Sequence, residues 1–219
     1  MYVTQYLSKE VKPGKINFSL SSLKKMTQDL KLTHLPIFDG FEFIGNIAEE
    51  DLFELSDDDD LKVSLKELSE NFFLFEDDTL FDAIQKMHIN QTNILTILSK
   101  EGKYLGCITQ NEIIDAIATF PFSSEMAISM VVSIATADYS MSVISSIIES
   151  NNGKLFGSLI INQDNDTLHI LIRFSSSNLL SIGETFERYG YQVVQKFYND
   201  EKKELINSRY EQLLKYMNT

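Results

Sequence analysis

The sequence predicts a mixed α+β protein in which a duplicated unit is followed by a third unit of a different kind. Two stretches about 60 residues apart share one layout, which indicates an internal repeat. After Pro121 the pattern changes to strands and helices in another order. With 219 residues, 43% of them hydrophobic, the chain is long enough to form one or two domains with apolar cores.

The repeat consists of two aligned strand–turn–strand segments. Gly45 aligns with Gly106 and Pro36 aligns with Thr96, and the second turn is one residue longer. Each segment predicts two strands around a tight turn, with a helix starting about three residues past the matched glycine. Each half is therefore predicted as helix–strand–strand–helix, because apolar residues at helical spacing precede each segment. These residues are Leu20, Leu23, Met26 and Leu30 in the first half and Leu80, Ala83, Ile84 and Met87 in the second.

A charged connection over 57–70 joins the two halves. Its four consecutive aspartates, 57–60, are predicted to form a solvated loop or a helix start. A cation site is not favoured, because adjacent carboxylates cannot all turn toward one ion without a looping backbone.

The third unit follows a β-α-β-β-α-β order. A β-branched run over 128–137 leads to a helical pattern over 140–151, and strands over 155–161 and 167–174 flank a turn at 162–166. A second helix over 178–189 ends at Gly190, and a last strand covers 191–198. This order is the ferredoxin-like arrangement. A charged helical pattern over 201–217 predicts a C-terminal helix.

The paired units resemble a tandem of CBS domains, the module named after cystathionine β-synthase. The resemblance rests on 34–40, 44–47 and Asp51 in the first copy, and on 104–109 and Glu112 in the second. The third unit looks like an ACT-type regulatory domain, and the chain over roughly 6–198 is similar to bacterial CBS–CBS–ACT proteins of the acetoin-utilisation type. The implied domains are two CBS domains over 1–60 and 61–122, an ACT-like domain over 126–198 and a C-terminal helix over 199–219.

The resemblance implies a ligand and a set of site residues. In such tandems a G-h-h-[ST]-x-x-[DN] stretch supplies a hydroxyl near phosphate or ribose and a carboxylate for the ribose hydroxyls, while adenine lies among strand residues. The implied ligand is AMP, ADP, ATP or another adenosyl compound, and no cofactor is required. The implied ligand-binding residues are Pro36, Ile47, Asp51, Ile94, Ile108, Thr109 and Glu112.

Both copies depart from this pattern. The first keeps Asp51 but has Ala48 in the hydroxyl position, and the second keeps Thr109 but has Glu112 in place of aspartate. Thr109 and Glu112 also fit a capping box, which needs no ligand, and Asp51 could simply interact favourably with the helix dipole. The ligand and capping interpretations both stay open for these residues.

The ACT-like unit lacks the glycine that usually lets the backbone of the loop before its first helix close on an amino acid. Tyr139 stands in that loop instead, and its side chain would block a close backbone approach. We therefore expect this unit to serve in dimerisation or coupling, with an amino-acid sensor as the alternative.

The formal net charge is −13, from 19 Lys+Arg and 32 Asp+Glu. Nucleic acid and anionic membrane surfaces repel such a protein, so neither is expected as a partner. No stretch approaches the ~20 apolar residues of a membrane-spanning helix. Because there is one cysteine, Cys107, and no visible signal peptide, a cytoplasmic location is expected.

Neither catalysis nor a metal site is predicted. The sequence contains no phosphate-binding G-x-x-x-x-G-K-[ST] loop and no H-E-x-x-H, and its histidines, His34, His88 and His169, are not spaced as metal ligands. The resulting prediction is a homodimeric regulatory protein acting on a partner enzyme or transporter. The alternative is a ligand-free dimerisation scaffold with degenerate CBS sites.

Overall fold

The computed structural model describes residues 1–56 and 60–197. The chain divides between Thr119 and Phe120 into two compact units. In the described part of the chain, no helix is both long enough and apolar enough to cross a membrane. The C-terminal helix predicted over 199–219 lies outside the described residues.

The first unit contains the same arrangement twice. Its first half holds β1 (Gly14–Lys15), α1 (Leu20–Leu30), β2 (His34–Asp39), β3 (Glu42–Ala48) and α2 (Glu49–Glu54). The connection holds α3 (Leu61–Leu68). The second half holds β4 (Leu74–Phe75), α4 (Leu80–Ile89), β5 (Ile94–Leu98), β6 (Tyr104–Thr109) and α5 (Gln110–Ala118).

Each half forms a three-stranded sheet, in the orders β1-β2-β3 and β4-β5-β6. The first strand of each sheet runs parallel to the second, and the third runs antiparallel to it. The predicted duplicated helix–strand–strand–helix is confirmed, with one addition. A short strand precedes each first helix, and at two residues it is too short to show an alternating pattern.

The charged connection contains a helix rather than only a loop. Asp60 is the N-cap of α3, and its side chain accepts a hydrogen bond of 3.4 Å from the Val63 backbone N–H. Leu65 on this helix is fully buried, which fixes α3 to the core of the first half. The last aspartate of the acidic run therefore starts a helix, as its position allows.

The matched glycines lie where an extended segment crosses the outer strand of each sheet. In the first half, Asn46 and Glu70 exchange two backbone hydrogen bonds of 2.8 Å, and a Cβ on Gly45 would lie 2.8 Å from the Glu70 carbonyl oxygen. In the second half, a Cβ on Gly106 would lie 3.0 Å from Leu7. At Gly45 only glycine permits this approach without displacing the backbone of the crossing segment, and at Gly106 a larger residue would have to displace the Leu7 side chain.

The second unit contains α6 (Pro121–Ser124), β7 (Ile128–Ala135), α7 (Met141–Ser150), β8 (Lys154–Asp164), β9 (Thr167–Ser175), α8 (Leu179–Arg188) and β10 (Gln192–Phe197). Its four strands form an antiparallel sheet in the order β10-β7-β9-β8, the ferredoxin-like order that was predicted. Its core is formed by buried residues of these strands together with α7 and α8.

The hairpin between β8 and β9 is tighter than predicted. β8 continues to Asp164, so the turn shrinks from 162–166 to Asn165 and Asp166. Asn165 adopts φ 51°, a left-handed conformation that asparagine tolerates better than most residues. Polar residues at 162–164 were assigned to the turn from their chemistry, although they continue the strand at an exposed edge.

Candidate functional site

Among the clefts on the first unit, two contain the helix starts at Ala48 and Thr109, and each of these two is lined by residues of both halves. The first cleft, of about 440 Å³, is lined by Thr33, His34, Ala48, Glu49, Glu50, Glu70, Ile89, Asn90 and Gln91. The second cleft, of about 290 Å³, is lined by Ser8, Glu10, Val11, Leu30, Lys31, Leu32, Asn93, Thr109, Gln110, Asn111 and Glu112.

The clefts are equivalents in the internal repeat. Lys31 of the second cleft and Gln91 of the first both follow a helix and both have positive φ, 51° and 47°. The helix start at Ala48 faces the first cleft, as the helix start at Thr109 faces the second. The duplication has therefore built the same kind of cleft twice, with different side chains.

The two halves are joined between the clefts by Thr33 and Asn93, which occupy equivalent repeat positions. The Thr33 backbone N–H donates to Asn93 Oδ1 at 3.0 Å, and the Asn93 backbone N–H donates to Thr33 Oγ1 at 3.0 Å. Asn93 Nδ2 also donates to the Lys31 carbonyl at 2.8 Å. These reciprocal bonds set the spacing of the residues on either side of each cleft.

In the second cleft, Thr109 and Glu112 bind each other. The Thr109 backbone N–H donates to Glu112 Oε2 at 2.9 Å, and the Thr109 hydroxyl donates to the same oxygen. Burial raises the pKa of Glu112, but hydrogen bonds from Thr109 and Ser8 outweigh it and hold that pKa below its ordinary value. The capping box is thus present, and its carboxylate is ionised at neutral pH.

Lys31 is the basic residue that distinguishes the clefts. Among the described lining residues of the two clefts, it is the one lysine or arginine, and it faces the second cleft. It lines the cleft beside the N-terminal end of α5, where the helix dipole favours an anion, although Glu10 and Glu112 line the same cleft. Backbone N–H groups of that turn already have partners, since the Thr109 N–H donates to Glu112. The Gln110 N–H likewise donates to the Asn93 carbonyl at 2.9 Å. Lys31 is therefore the group of this cleft that can attract a phosphate.

In the first cleft, His34 contacts Thr33, Glu70 and Phe72. Its Nδ1 lies 3.1 Å from Thr33 Oγ1, its Nε2 lies 3.7 Å from Glu70 Oε1, and its ring meets the Phe72 ring edge-on at 5.4 Å. Burial lowers the pKa of His34, and Glu70 and Asp51 offset this only in part. The imidazole is therefore neutral at pH 7.

The first cleft is otherwise acidic. Glu49, Glu50 and Asp51 form the first turn of α2, and Glu70 stands at the cleft as well. Ala48 is the N-cap of that helix and supplies no side-chain hydrogen bond. Asp51 is partly buried and acts on His34 electrostatically, although it is not among the lining residues. This lining favours ribose or a neutral group over phosphate.

The apolar residues implied by the resemblance lie in the interior. Ile47, Ile94 and Ile108 are fully buried, and Pro36 is buried on β2 opposite Asn46. None of these four is among the described lining residues of either cleft. Thr109 and Glu112 do line the second cleft, so the structure brings together two of the seven predicted site residues.

Sequence reasoning did not assign a site role to the residues that join the halves and line the clefts: Lys31, Thr33, His34, Gln91 and Asn93. A signal was available, because polar residues stand between each helix and the buried strand that follows it, Lys31 and Thr33 in the first copy and 90–93 in the second. The contacts between Thr33 and Asn93 span 60 residues of sequence, which no local pattern reports.

No group of three or more His, Cys, Asp or Glu among the described residues could hold a metal ion. Cys107 is buried, and burial raises the pKa of its thiol to about 11. A thiol that is protonated and enclosed is a poor nucleophile.

In the second unit, the loop before α7 is closed by its own side chains. The hydroxyl of the buried Tyr191 lies 3.4 Å from the Ser140 backbone nitrogen and 3.3 Å from its carbonyl oxygen. These backbone groups are therefore already occupied within the unit.

Residues 65–119 match the family model of the CBS domain. The chain contains a CBS domain. The first half repeats the strand order and orientation of this segment, so the first unit has the fold of a CBS-domain pair.

A curated relative, the uncharacterised protein MJ1232 of Methanocaldococcus jannaschii, is 26% identical over 110 residues. That match covers 50% of this chain and spans only 37% of the relative's length.

Solved structures similar to this chain include a CBS domain pair/ACT domain protein from Thermotoga maritima, with 18% identity and a TM-score of 0.46, covering 53% of this chain and 96% of that one. The CBS domain of a bacterial CNNM/CorC family Mg²⁺ transporter in complex with ATP has 14% identity and a TM-score of 0.43. This match covers 54% of this chain and 87% of that one. CBSX2 in complex with AMP has 19% identity and a TM-score of 0.43, and the match covers 53% of this chain and 95% of that one.

Proposed function

We propose that this chain is a non-catalytic regulatory protein that binds an adenine nucleotide or a related adenosyl compound reversibly in its two clefts. The observation that carries the proposal is that each cleft is lined from both halves of the repeat. A ligand in either cleft would therefore contact both halves and bias their arrangement. The CBS domain over 65–119 is the module whose resemblance implies such a ligand.

The second cleft is the better phosphate site. Lys31 would bind the phosphate beside the positive dipole end of α5, while Glu112 would accept a hydrogen bond from a ribose hydroxyl and keep its own capping bonds. In the first cleft, the resemblance assigns the ribose to Asp51, which follows the lining residues Glu49 and Glu50 in the first turn of α2, and these glutamates would repel a phosphate. Pro36, Ile47, Ile94 and Ile108 would set the shape of the strands behind the clefts rather than contact the ligand.

The signal would pass through a homodimer to a partner enzyme or transporter, in the cytoplasm. The ACT-like second unit would serve this dimer rather than bind an amino acid, since the backbone at Ser140 is already bonded to Tyr191. Membership of the bacterial acetoin-utilisation type is part of this proposal.

Thermal unfolding with AMP, ADP, ATP, NAD and S-adenosylmethionine tests the proposal. A ligand at 100 times its Kd should add about 2.7 kcal/mol to the free energy of unfolding, which shifts the Tm by several degrees. A shift with at least one adenosyl compound is expected. No shift with any of them, each at millimolar concentration, would contradict the proposal.

The second candidate is a ligand-free scaffold, and one observation favours it. The hydroxyl and carboxylate of the second cleft already satisfy each other in the capping box. On this account Thr109→Ala lowers stability by about 1 kcal/mol and changes nothing else. The binding account predicts that the same variant also weakens the Tm shift caused by a nucleotide.

A further inference from the structure

An aromatic groove lies at the hairpin end of the first unit, where β2 turns into β3 and β5 turns into β6. Its volume is about 550 Å³, and its lining includes Phe41, Phe43, Phe73, Glu42, Glu101 and Lys103. β2 runs from His34, which lines the first cleft, to Asp39 beside the turn, a distance of about 17 Å along the strand. The groove is therefore separate from the two clefts, which contain the helix starts at the other ends of the strands.

Phenylalanine rings form the apolar part of the aromatic groove. The ring centroids of Phe43 and Phe73 are 5.8 Å apart, and the two rings are nearly perpendicular, at 81°. Phe41, in the turn of the β2–β3 hairpin, is 95% exposed, so its ring is free to gain a contact in the groove. Lys86 Nζ already lies 6.0 Å from the centroid of Phe73. The face of an aromatic ring is electronegative and attracts a cation at this range.

The internal repeat shows that the fold does not require two of these rings. Because β1 and β4 are equivalent, Phe73 corresponds to Pro13, which also stands directly before the short strand. In the turn of the second half, the residue that follows Gly102 is Lys103, whereas Phe41 follows the glycine of the first turn. A half can therefore fold without an aromatic residue at either position, and packing of the repeat does not account for Phe41 and Phe73.

Two carboxylates give the aromatic groove a negative charge. Glu42 and Glu101 are exposed, and the part of the chain that the structure describes shows no ion pair for either. The Ser99 hydroxyl donates to Glu101 Oε2 at 2.8 Å, and this hydrogen bond holds the pKa of Glu101 below its ordinary value. Lys103 also lines the groove, but it is exposed, and its flexible side chain can turn the ammonium group to water. The groove therefore favours a cation.

We propose that the aromatic groove binds a small organic cation with a quaternary ammonium group. Its N-methyl groups would contact the phenylalanine rings, and Glu42 and Glu101 would balance its charge. A quaternary ammonium has no N–H, so it loses no hydrogen bond against ring faces, unlike a lysine or arginine side chain. The volume of about 550 Å³ lies within the roughly 300–1,000 Å³ of small-molecule sites. This site goes beyond the proposed function, because it takes a second class of ligand at the opposite end of the strands.

Ligand-observed NMR on the full-length chain, without any adenosyl compound, tests the proposal. Choline is the probe, and saturation transfer to its N-methyl protons gives the Kd by titration. The control ligand is 3,3-dimethylbutan-1-ol, which has the shape of choline but a neutral carbon in place of the nitrogen. Choline should bind at least fivefold more tightly than this alcohol, because only the cation is attracted by the ring faces and the carboxylates. Equal affinities, or no saturable binding of choline at millimolar concentration, would overturn the proposal.

A leucine at position 41 separates the ring from its apolar surface. Phe41→Leu should weaken choline binding about threefold and leave the binding of the neutral alcohol unchanged. Because the native side chain is 95% exposed, the substitution leaves the fold intact. The matched control is Phe81→Leu on α4, where the native side chain is 61% exposed and lies outside the described lining of the groove. Choline binding that is unchanged by Phe41→Leu would place the cation elsewhere on this acidic protein and would contradict the proposal.

The charged residues of the groove supply an independent test. Glu101→Gln should weaken choline binding about threefold, whereas Lys103→Gln should strengthen it about twofold, because the first change removes an attraction and the second a repulsion. The matched control is Glu184→Gln on α8, where the side chain is exposed in the second unit and no change is expected. Shifts of the same sign at positions 101 and 103 would refute the site. Since no nucleotide is present, that result would leave the proposed function standing.

Discussion

Glu112 shows how one carboxylate can serve the fold and the proposed site. It accepts hydrogen bonds from the backbone and side chain of Thr109, and its pKa lies below the ordinary value. The unfolded chain therefore takes up the proton more readily than the folded chain does. It follows that the ionised carboxylate stabilises the fold above its ordinary pKa, and that this contribution is lost as the pH falls through the folded-state pKa.

We predict that Glu112→Gln lowers the free energy of unfolding at neutral pH, and that the difference from the wild type shrinks in acid. Urea unfolding of both proteins at steps from about pH 7 to about pH 3 measures this. A difference that stays constant over the whole range would show that the charge of Glu112 has no part in stability.

At this scale, sequence reasoning worked where partners are close in sequence. The capping box of Thr109 and Glu112 is a local pattern, and the structure contains it. The interaction of His34 with Glu70 and the bonds between Thr33 and Asn93 join residues distant in sequence, so no local rule could predict them. The placement of Ile94 in the interior was likewise decided by packing between elements.

The crossing segments make the two matched glycines unequal. At Gly45 the nearest atoms to an added Cβ are the Glu70 carbonyl oxygen of the backbone and Ser69 Cβ, each at 2.8 Å. At Gly106 the nearest atoms belong to the flexible side chain of Leu7, at 3.0 Å. A side-chain end can rotate away, but a hydrogen-bonded backbone segment cannot do so without losing its bonds to Asn46.

We predict that Gly45→Ala lowers the free energy of unfolding by about 2–3 kcal/mol and that Gly106→Ala lowers it by about 1 kcal/mol. Gly45 and Gly106 have nearly the same φ, +153° and +157°, a conformation that L residues rarely adopt, so backbone strain is common to both variants and the difference between them reports the contact. Gly40, with φ +62° and open space around it, shows the cost of a side chain where nothing is contacted. Urea unfolding of the three variants gives the comparison. Equal losses at Gly45 and Gly106 would contradict the role of the backbone contact.

Sequence predicted these elements well where the periodicity is long. The matched glycines revealed the repeat, and the α7 and α8 patterns were found within about two residues of their ends. The short strands β1 and β4 were missed because two residues carry no alternation. Nor could the sequence reveal why the glycines match, since the reason is a segment of chain that crosses the sheet edge.

The whole molecule carries a formal net charge of −13, and this opposes any anionic ligand. Lys31 is therefore central to the account, because among the described lining residues it is the local positive charge at either cleft. At low ionic strength, repulsion between the nucleotide and the rest of the acidic molecule is less screened. Nucleotide binding through one lysine should therefore weaken under these conditions relative to the binding of a neutral adenosyl compound.

Calorimetric titration of the full-length protein tests the central claim most directly. AMP, ADP, ATP and S-adenosylmethionine are titrated into the wild type, Lys31→Gln, Asp51→Ala and the control Lys62→Gln, where the lysine is exposed on α3. The account predicts saturable binding of at least one compound. Lys31→Gln should weaken nucleotide binding about tenfold, Asp51→Ala should weaken binding in the first cleft, and Lys62→Gln should change nothing. No saturable binding of any adenosyl compound at millimolar concentration would contradict the account.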